Sequence, residues 1–585
     1  MSSQPSRLTT MRRSSLEMLI LTLLFLAVAG LRRTWDLRSY TGESLALLSG
    51  RKRSYGYRHV ERFLSELACW NESLTTALAC WTSKLWKIAP PDGQSHVNVY
   101  IDGHRKPVYT DHLIPRGLIG RTGAIQGCRA LVLLHDGAGH PLLITTHRGD
   151  LHLTVGAPQV LAQYEQATKL PLQVCLIIDR EGMAAEFLAA LAALGHRVVT
   201  ILRSNQYQGL QSFTHVGAFV PLSTDEHGTV IREVASARFV LALPKQPGKV
   251  LSLWVALIRD LRCSVLDVAS AQKPSDRWDA DVSLQTPYWW QEGWQPTAMP
   301  AQATQAKLIP IVSTSETVDA VALARLYIQR WPLQENVIRD FLLPVGLDTN
   351  HGYGKHEVVN SEVAKQRSTL MHRLVTLDRK AQAARVRGEQ AYKRYDQLYK
   401  QFKLRQAQVQ APTHSSIKAA TPADITKCQA KACKAHERSI AELDKQERYC
   451  RQQREVLRAL EDLKARERSM YELNHAKDQV MTVCKVALTN LVMWTRDQYF
   501  PATYTTATWK RLAPFFDLPG TIICTSEMVT VELSSFNDRQ LNRDLQALCA
   551  RVQSAQPCLP DGRRLSFTIF PSDRLISDLQ LCQLE

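Results

Sequence analysis

Short apolar runs that stop on an acidic residue set the rhythm of the first half of the chain. Val97 to Ile101 runs into Asp102, and Val174 to Ile178 runs into Asp179; each run has the length and β-branched content of a strand. Asp102 and Asp179 are therefore expected at strand C-terminal ends, facing whatever lies beyond the sheet edge. Between them, Ala130 to Leu134 and Leu142 to Thr146 flank the turn-like string His135 to His140, a hairpin signal. A helical stretch near Ala157 to Thr168 leads into the second acidic strand. Gly182 then opens a helix through Leu194, and Val198 to Leu202 returns as a strand, which makes a βαβ pattern. Leu308 to Val312 reads as a further strand, and Thr317 to Gln334 as a helix leading to Glu335.

The flanks follow a different rhythm. Leu16 to Leu31 is apolar except for Glu17 and Thr22, close to the length of a membrane span and with a signal-peptide look around Ala27-Val28-Ala29. Glu17 interrupts the run and Arg32 and Arg33 follow it, so a buried helix of an N-terminal helical domain (residues 1–90) is expected, with no membrane partner. Arg51, Lys52 and Arg53 stand with Tyr55, Tyr57, Arg58 and Arg62 just before the helical pattern at Phe63. That mixture can place cations on phosphates and tyrosines on sugars or bases. From about Lys365 to Ser469 the composition turns to Lys, Arg, Gln, Glu and Ala, broken by a Pro/Ser/Thr patch at Ala411 to Ala423. Two long polar helices are expected there, as a spacer, a self-association element or a basic arm along DNA. A C-terminal α/β region (471–585) follows, with a helix from Asp478 to Trp494, strands at Gly520 to Cys524 and Val529 to Leu533, and a helix from Asp538 to Val552.

The acids carry the chemistry. Two Asp on strands and a Glu on a later helix can hold a pair of hard divalent cations, which require oxygen ligands and concentrated negative charge. Glu335 lies in the string Tyr327 to Phe341, behind the cluster Tyr327, Arg330 and Trp331.

This constellation resembles the DDE transposases of bacterial insertion sequences, in the branch with a Tyr-x-x-Arg…Glu signature. Tyr327, Arg330 and Glu335 match the signature, and Gly346, Leu347 and Asp348 extend the likeness, which runs from about residue 97 to 355. Two features depart from it. Four residues instead of three separate Arg330 from Glu335, and Leu342 stands where the branch has a Lys; Arg339 is the nearest cationic substitute. The resemblance implies an α/β, RNase H-like core in two parts (91–203 and 308–360), because three antiparallel strands followed by βαβ is the order of that fold. A β-rich insertion (204–307) would separate the parts, and one of its Trp278, Trp289, Trp290 and Trp294 could support a flipped base. It also implies catalytic, metal-binding Asp102, Asp179 and Glu335, with two Mg²⁺ ions for which Mn²⁺ can substitute. Arg330, Arg339 and Tyr327 would contact DNA, and Arg51, Lys52 and Arg53 would grip transposon ends. The partners implied are double-stranded DNA, at transposon ends and target, and a second copy in a homodimeric synaptic complex. The alternative is a catalytically inactive, transposase-derived DNA-binding protein, in which the extra residue before Glu335 moves that acid off the metals. A membrane-anchored helical scaffold is a third class, resting on the Leu16 to Leu31 run.

Composition agrees with a polyanionic partner without selecting one: the 585 residues carry a formal net charge of +17. Thirteen cysteines, scattered singly, point to a reducing cytoplasm and away from a disulfide framework. The one tight group, Cys428, Cys433 and His436, misses the usual zinc spacing and falls in a Lys-rich helical stretch.

Overall fold

The computed structural model describes residues 13–39, 43–48, 51–89, 96–120, 122–169, 173–261, 307–316, 319–410, 421–465 and 469–570. Two units divide the chain: residues 1–356 with 472–585, and residues 357–471.

The first unit opens with helices α1 (Arg13–Val28), α2 (Tyr57–Leu67) and α3 (Asn71–Leu85). The apolar N-terminal run is α1. Its Leu19, Leu23 and Leu26 are buried with Val60, Phe63 and Leu64 of α2 and with Val480 and Met481 from far along the chain. Glu17 pairs with Arg13 one helical turn away, at 2.9 Å. No described helix is long and apolar enough to cross a membrane.

Next come strands β1 (Val97–Pro107), β2 (Arg116–Ile119), β3 (Ala124–Asp136) and β4 (Pro141–Arg148). Helix α4 (Leu153–Thr168), β5 (Val174–Ile178), α5 (Ala185–Ala193) and β6 (Arg197–Ile201) complete the βαβ pattern. β7 (Val220–Thr224), β8 (Val230–Ala242), β9 (Val250–Asp260) and β10 (Lys307–Ser313) follow, then α6 (Ala320–Ile328). The strands form one ten-stranded sheet in the order β2-β3-β1-β5-β6-β10-β9-β8-β7, with β4 on β3. β3 is antiparallel to β1 and β4, whereas β1, β5 and β6 run parallel. The described strands of the expected insertion thus extend the central sheet through β9 and β10, which pair antiparallel. The four tryptophans named above lie outside the described residues.

Both faces of the sheet centre are covered, which is why its strands read as continuous apolar runs. Val97, Val99, Ile101, Leu176 and Ile178 pack with α4 and α5 on one face. Tyr100, Cys175 and Ile177 pack with Leu323 and Ala324 of α6 on the other. Strand periodicity therefore sends even-numbered residues of β1 and odd-numbered residues at the end of β5 toward α6.

The second unit is a helical hairpin of α7 (Ser361–Gln410) and α8 (Pro422–Ala465). Ser439 donates to the Gly388 carbonyl at 3.1 Å and Arg387 to Glu442 at 2.9 Å, while Gln453 reaches Asp378 at 3.3 Å, so the helices run antiparallel. Their seam is built of small residues: Ala381, Ala384, Gly388 and Ala391 face Cys428, Ala432, Ala435 and Ser439. Cys428 is a seam residue whose thiol donates to the Leu398 carbonyl at 3.5 Å. Among the described residues, Cys428, Cys433 and His436 form no metal-holding group.

After the hairpin, the first unit resumes with α9 (Ala476–Tyr499), α10 (Trp509–Phe516), β11 (Gly520–Cys524), β12 (Met528–Ser534), α11 (Arg539–Ser554) and β13 (Arg564–Phe570). α9 lies against the central sheet, where Val483 and Val486 pack with Leu131, Leu133 and Ile144.

Candidate active site

The parallel ladder between β1 and β5 runs in register from Val97 with Val174 to Ile101 with Ile178. The next residue on each chain is Asp102 and Asp179, so the two acids leave the ladder side by side, both toward the α6 face. The expectation that each ends a strand holds for Asp179 only. β1 continues to Pro107, because β3 stays paired to it from Val99 with Asp136 to Pro107 with Cys128, and Asp102 lies mid-strand opposite Leu133. What ends at Ile101 is the pairing with β5. Asp179 caps the short turn Arg180–Gly182, accepting from the Glu181 backbone N–H at 2.7 Å. Its own carbonyl accepts from the Thr200 hydroxyl of β6 at 2.7 Å.

Glu335 arrives by a turn of unusual pitch. α6 starts on Asp319, whose carboxylate accepts from the backbone of Val321 and Ala322, and it ends at Ile328. The expected single helix to Gln334 then widens into a π turn over Trp331–Glu335, with the Asn336 N–H reaching the Trp331 carbonyl five residues back. A π turn holds one more residue than an α turn, so the extra residue between Arg330 and Glu335 is absorbed without rotating Glu335 off the face that carries Arg330. Arg330 Nη2 donates to Glu335 Oε1, and its Nη1 lies 3.9 Å from Asp102 Oδ2. The β3–β4 turn fits closely against this segment. A Cβ on Gly139, which has φ +92°, would stand 2.4 Å from the Leu333 carbonyl oxygen.

The site is a crowd of negative charge around one guanidinium. Burial pushes the Asp102 carboxyl up to about 8; Arg330 opposes this, and Asp179 and Glu335 add to it. Burial likewise raises Glu335 against the pull of Arg330, with Asp179 adding to the rise. The side chains of Asp102 and Glu335 keep 19% and 27% exposure, so the desolvation comes from close neighbours and the carboxylates remain reachable. Tyr327 belongs to the same cluster: burial drives its phenol up to about 12, and it feels Arg330, Asp179 and Glu335. Arg330 is held charged against the cost of burial, chiefly by Glu335.

The structure thus brings Asp102, Asp179, Glu335, Arg330 and Tyr327 together. Arg339 stands near enough to feel Glu335, but its guanidinium is engaged by neighbouring Asp340 at 2.7 and 2.9 Å. Arg51, Lys52 and Arg53 are elsewhere, on the segment leading into α2. Arg51 lies 3.7 Å over the Tyr55 ring, and Lys52 and Arg53 are exposed.

Two supports of β1 escaped the sequence reading. His104 and Lys106 share the face of Asp102; His104 Nε2 meets Asp348 Oδ1 at 2.6 Å, and Lys106 Nζ meets both Asp478 oxygens at 2.8 and 3.0 Å. Arg129 completes a fully buried cluster, 2.6 Å from Asp478 and 2.7 Å from the His351 carbonyl. The alternation of positions 102, 104 and 106 was visible in the sequence, but partners more than 240 residues away were not.

Three carboxyl groups with hard oxygen donors, pressed together around Arg330, suit added divalent charge. Among the described residues no three such side chains close on one ligating point, and Arg330 is the cation they presently share. No protein-family model and no curated protein matches this chain.

Proposed function

We propose that the chain is a DDE-type transposase with an RNase H-like core, cleaving and joining phosphodiester bonds of duplex DNA. The observation that carries the reading is the adjacency of Asp102 and Asp179 at the end of the β1/β5 ladder, with Glu335 delivered beside them on the Arg330 turn. Three antiparallel strands followed by βαβ supports the fold half of the proposal. Asp102, Asp179 and Glu335 would hold the Mg²⁺ or Mn²⁺ ions through their carboxylate oxygens. Such ions activate an attacking hydroxyl and stabilise the leaving oxygen of an in-line displacement.

The chain's own groups have separate tasks. The three acids supply hard oxygen ligands where metal must sit, and Asp102, pushed up to about 8 in its absence, would give up its proton to act as one. Arg330 keeps the acids together in the metal-free state and can turn a guanidinium edge to a non-bridging phosphate oxygen. Tyr327, un-ionised at neutral pH, offers a hydroxyl donor beside the same oxygens. The π turn that takes up the extra residue before Glu335 supports this reading over that of an inactive, transposase-derived DNA-binding protein.

The test is nicking of duplexes carrying the sequences that flank the coding region, with and without Mg²⁺. Wild type is expected to nick them only with metal, and D102N, D179N and E335Q to bind without nicking. Metal-dependent nicking that persists in all three variants would overturn the reading.

A further inference from the structure

α7 carries twelve Lys and Arg against four Asp and Glu, whereas α8 carries ten against eight, so the positive charge of the hairpin is concentrated on one helix. On α7 it is also ordered. Taking the residue pairs 365/366, 372/373 and so on every seven residues to 400/401, all six pairs contain Lys or Arg and none contains Asp or Glu. The doublets Arg379-Lys380 and Lys393-Arg394 are two of them. A heptad repeat traces one stripe along a helix in a two-helix pairing. The seam uses Leu377, Ala381, Ala384, Gly388 and Ala391, so the first position of each pair falls opposite α8 and the second flanks the seam, where Arg387 reaches Glu442 of α8. The stripe's cations are exposed. Arg387 and Lys400 are paired, to Glu442 and Asp396, but Arg373, Arg379, Lys380, Lys393 and Arg394 form no ion pair among the described residues.

A stripe running from residue 365 to residue 400 is ~53 Å long, with cations recurring every ~10 Å. A partner that matches it must be stiff, extended and negative at regular intervals. Duplex nucleic acid meets all three conditions: it is straight over ~150 base pairs and carries phosphates along its whole length. An acidic globular protein has no such periodicity. We infer that the outward face of α7 from Lys365 to Lys400 is a docking surface for duplex DNA, contacting the backbone along about 15 base pairs without reading sequence. The choice of DNA over RNA rests on the function proposed above; the stripe itself does not.

The full chain is titrated with fluorescent 30-base-pair duplexes of random DNA and of RNA, without divalent metal, over a range of salt. Wild type is compared with R379Q/K380Q/K393Q/R394Q and with a control of equal charge loss on α8, K431Q/K434Q/R451Q/R454Q. The stripe variant should bind DNA at least ~10-fold more weakly at ~100 mM salt, with a salt slope shallower by ~3 to 4, because each lost phosphate contact removes about 0.9 from the slope. The control should stay within ~2-fold of wild type. Equal loss in both variants would reduce the effect to bulk charge and overturn the inference. So would unchanged DNA binding in the stripe variant, tighter binding of RNA than DNA, or loss of self-association in sedimentation in place of loss of DNA. Nicking by wild type with unchanged binding by the stripe variant would sink this inference and leave the proposed function standing. Stripe-dependent DNA binding without any nicking would do the reverse.

Discussion

Glu335 accepts a hydrogen bond from Arg330 although it lies five positions further along, because the turn that joins them is π and not α. Deleting Gln334 should therefore be tolerated. The turn would close to ordinary α pitch, Arg330 and Glu335 would become four residues apart, and both flanks would keep their register. Metal-dependent nicking is expected to survive within about tenfold. Inserting one Ala after Leu333 should abolish it, since no common helical turn accommodates a sixth residue. A deletion variant that folds but does not nick would show that the wide turn has a role beyond taking up length.

Gly139 supports the same turn from the other side. Gly139→Ala combines a left-handed φ with a Cβ pressed onto the Leu333 carbonyl, so the segment before Glu335 must move. A loss of nicking of at least ~10-fold with near-native DNA binding is expected, since a displacement of about 1 Å at a reacting site is costly. Unaltered nicking rates would show that this approach does not position Glu335.

The cluster of Lys106, Arg129 and Asp478 ties α9 to the strand that carries Asp102. Asp478→Ala would leave two buried cations without their carboxylate, at a cost of about 3–5 kcal/mol in unfolding free energy. Burial works against its charge, but Lys106 and Arg129 prevail and hold the Asp478 carboxyl well below the usual range. Its contribution is therefore present above the unfolded-state pKa and lost as pH falls toward the folded value. Denaturant titrations of wild type and variant should converge as the solution is acidified below about pH 4.

Lys485 gives the same sign of dependence in a higher pH window. Burial lowers its ammonium to about 7, with Lys106 adding to the effect and Asp478 opposing it. The unfolded chain then binds more protons than the folded chain between that value and the ordinary 10.5, so stability rises with pH across this window. Lys485→Met should flatten the rise, measured as unfolding free energy from pH 7 to 10. A slope identical to wild type would mean that the lysine is charged in the folded protein.

Charge reversal at Arg51, Lys52 and Arg53 tests the N-terminal segment separately. Binding to end-containing duplex should weaken, and the salt slope should flatten by up to about 0.9 per lost phosphate contact. Nicking in Mg²⁺ at saturating DNA should remain, because the acids lie on other elements. Unaltered affinity and slope would remove this segment from end recognition.

Local pattern was enough to find the elements that carry the acids, though not β2, β7, α10 or β13. Apolar runs of strand length located β1, β5 and β6; the Lys, Arg, Gln, Glu and Ala composition located α7 and α8, and Glu17 marked α1 as a helix meant for a core. The acids were legible for the same reason, since a carboxylate that closes a buried strand stands out against its apolar neighbours. The sequence could not show that β1 runs on past Asp102, because strand length there is decided by β3, a partner across a hairpin. Nor could it show that one surplus residue before Glu335 becomes a π turn, since the pitch of that turn is settled by the side chains around it and by the close approach of Gly139. Asp478 read as an unremarkable helix-start acid, and only the folded chain sets it against Lys106 and Arg129. Periodicity records which face of an element is buried, whereas register, pitch and buried ion pairs depend on which distant residue arrives at that face, and that is decided only when the whole core closes.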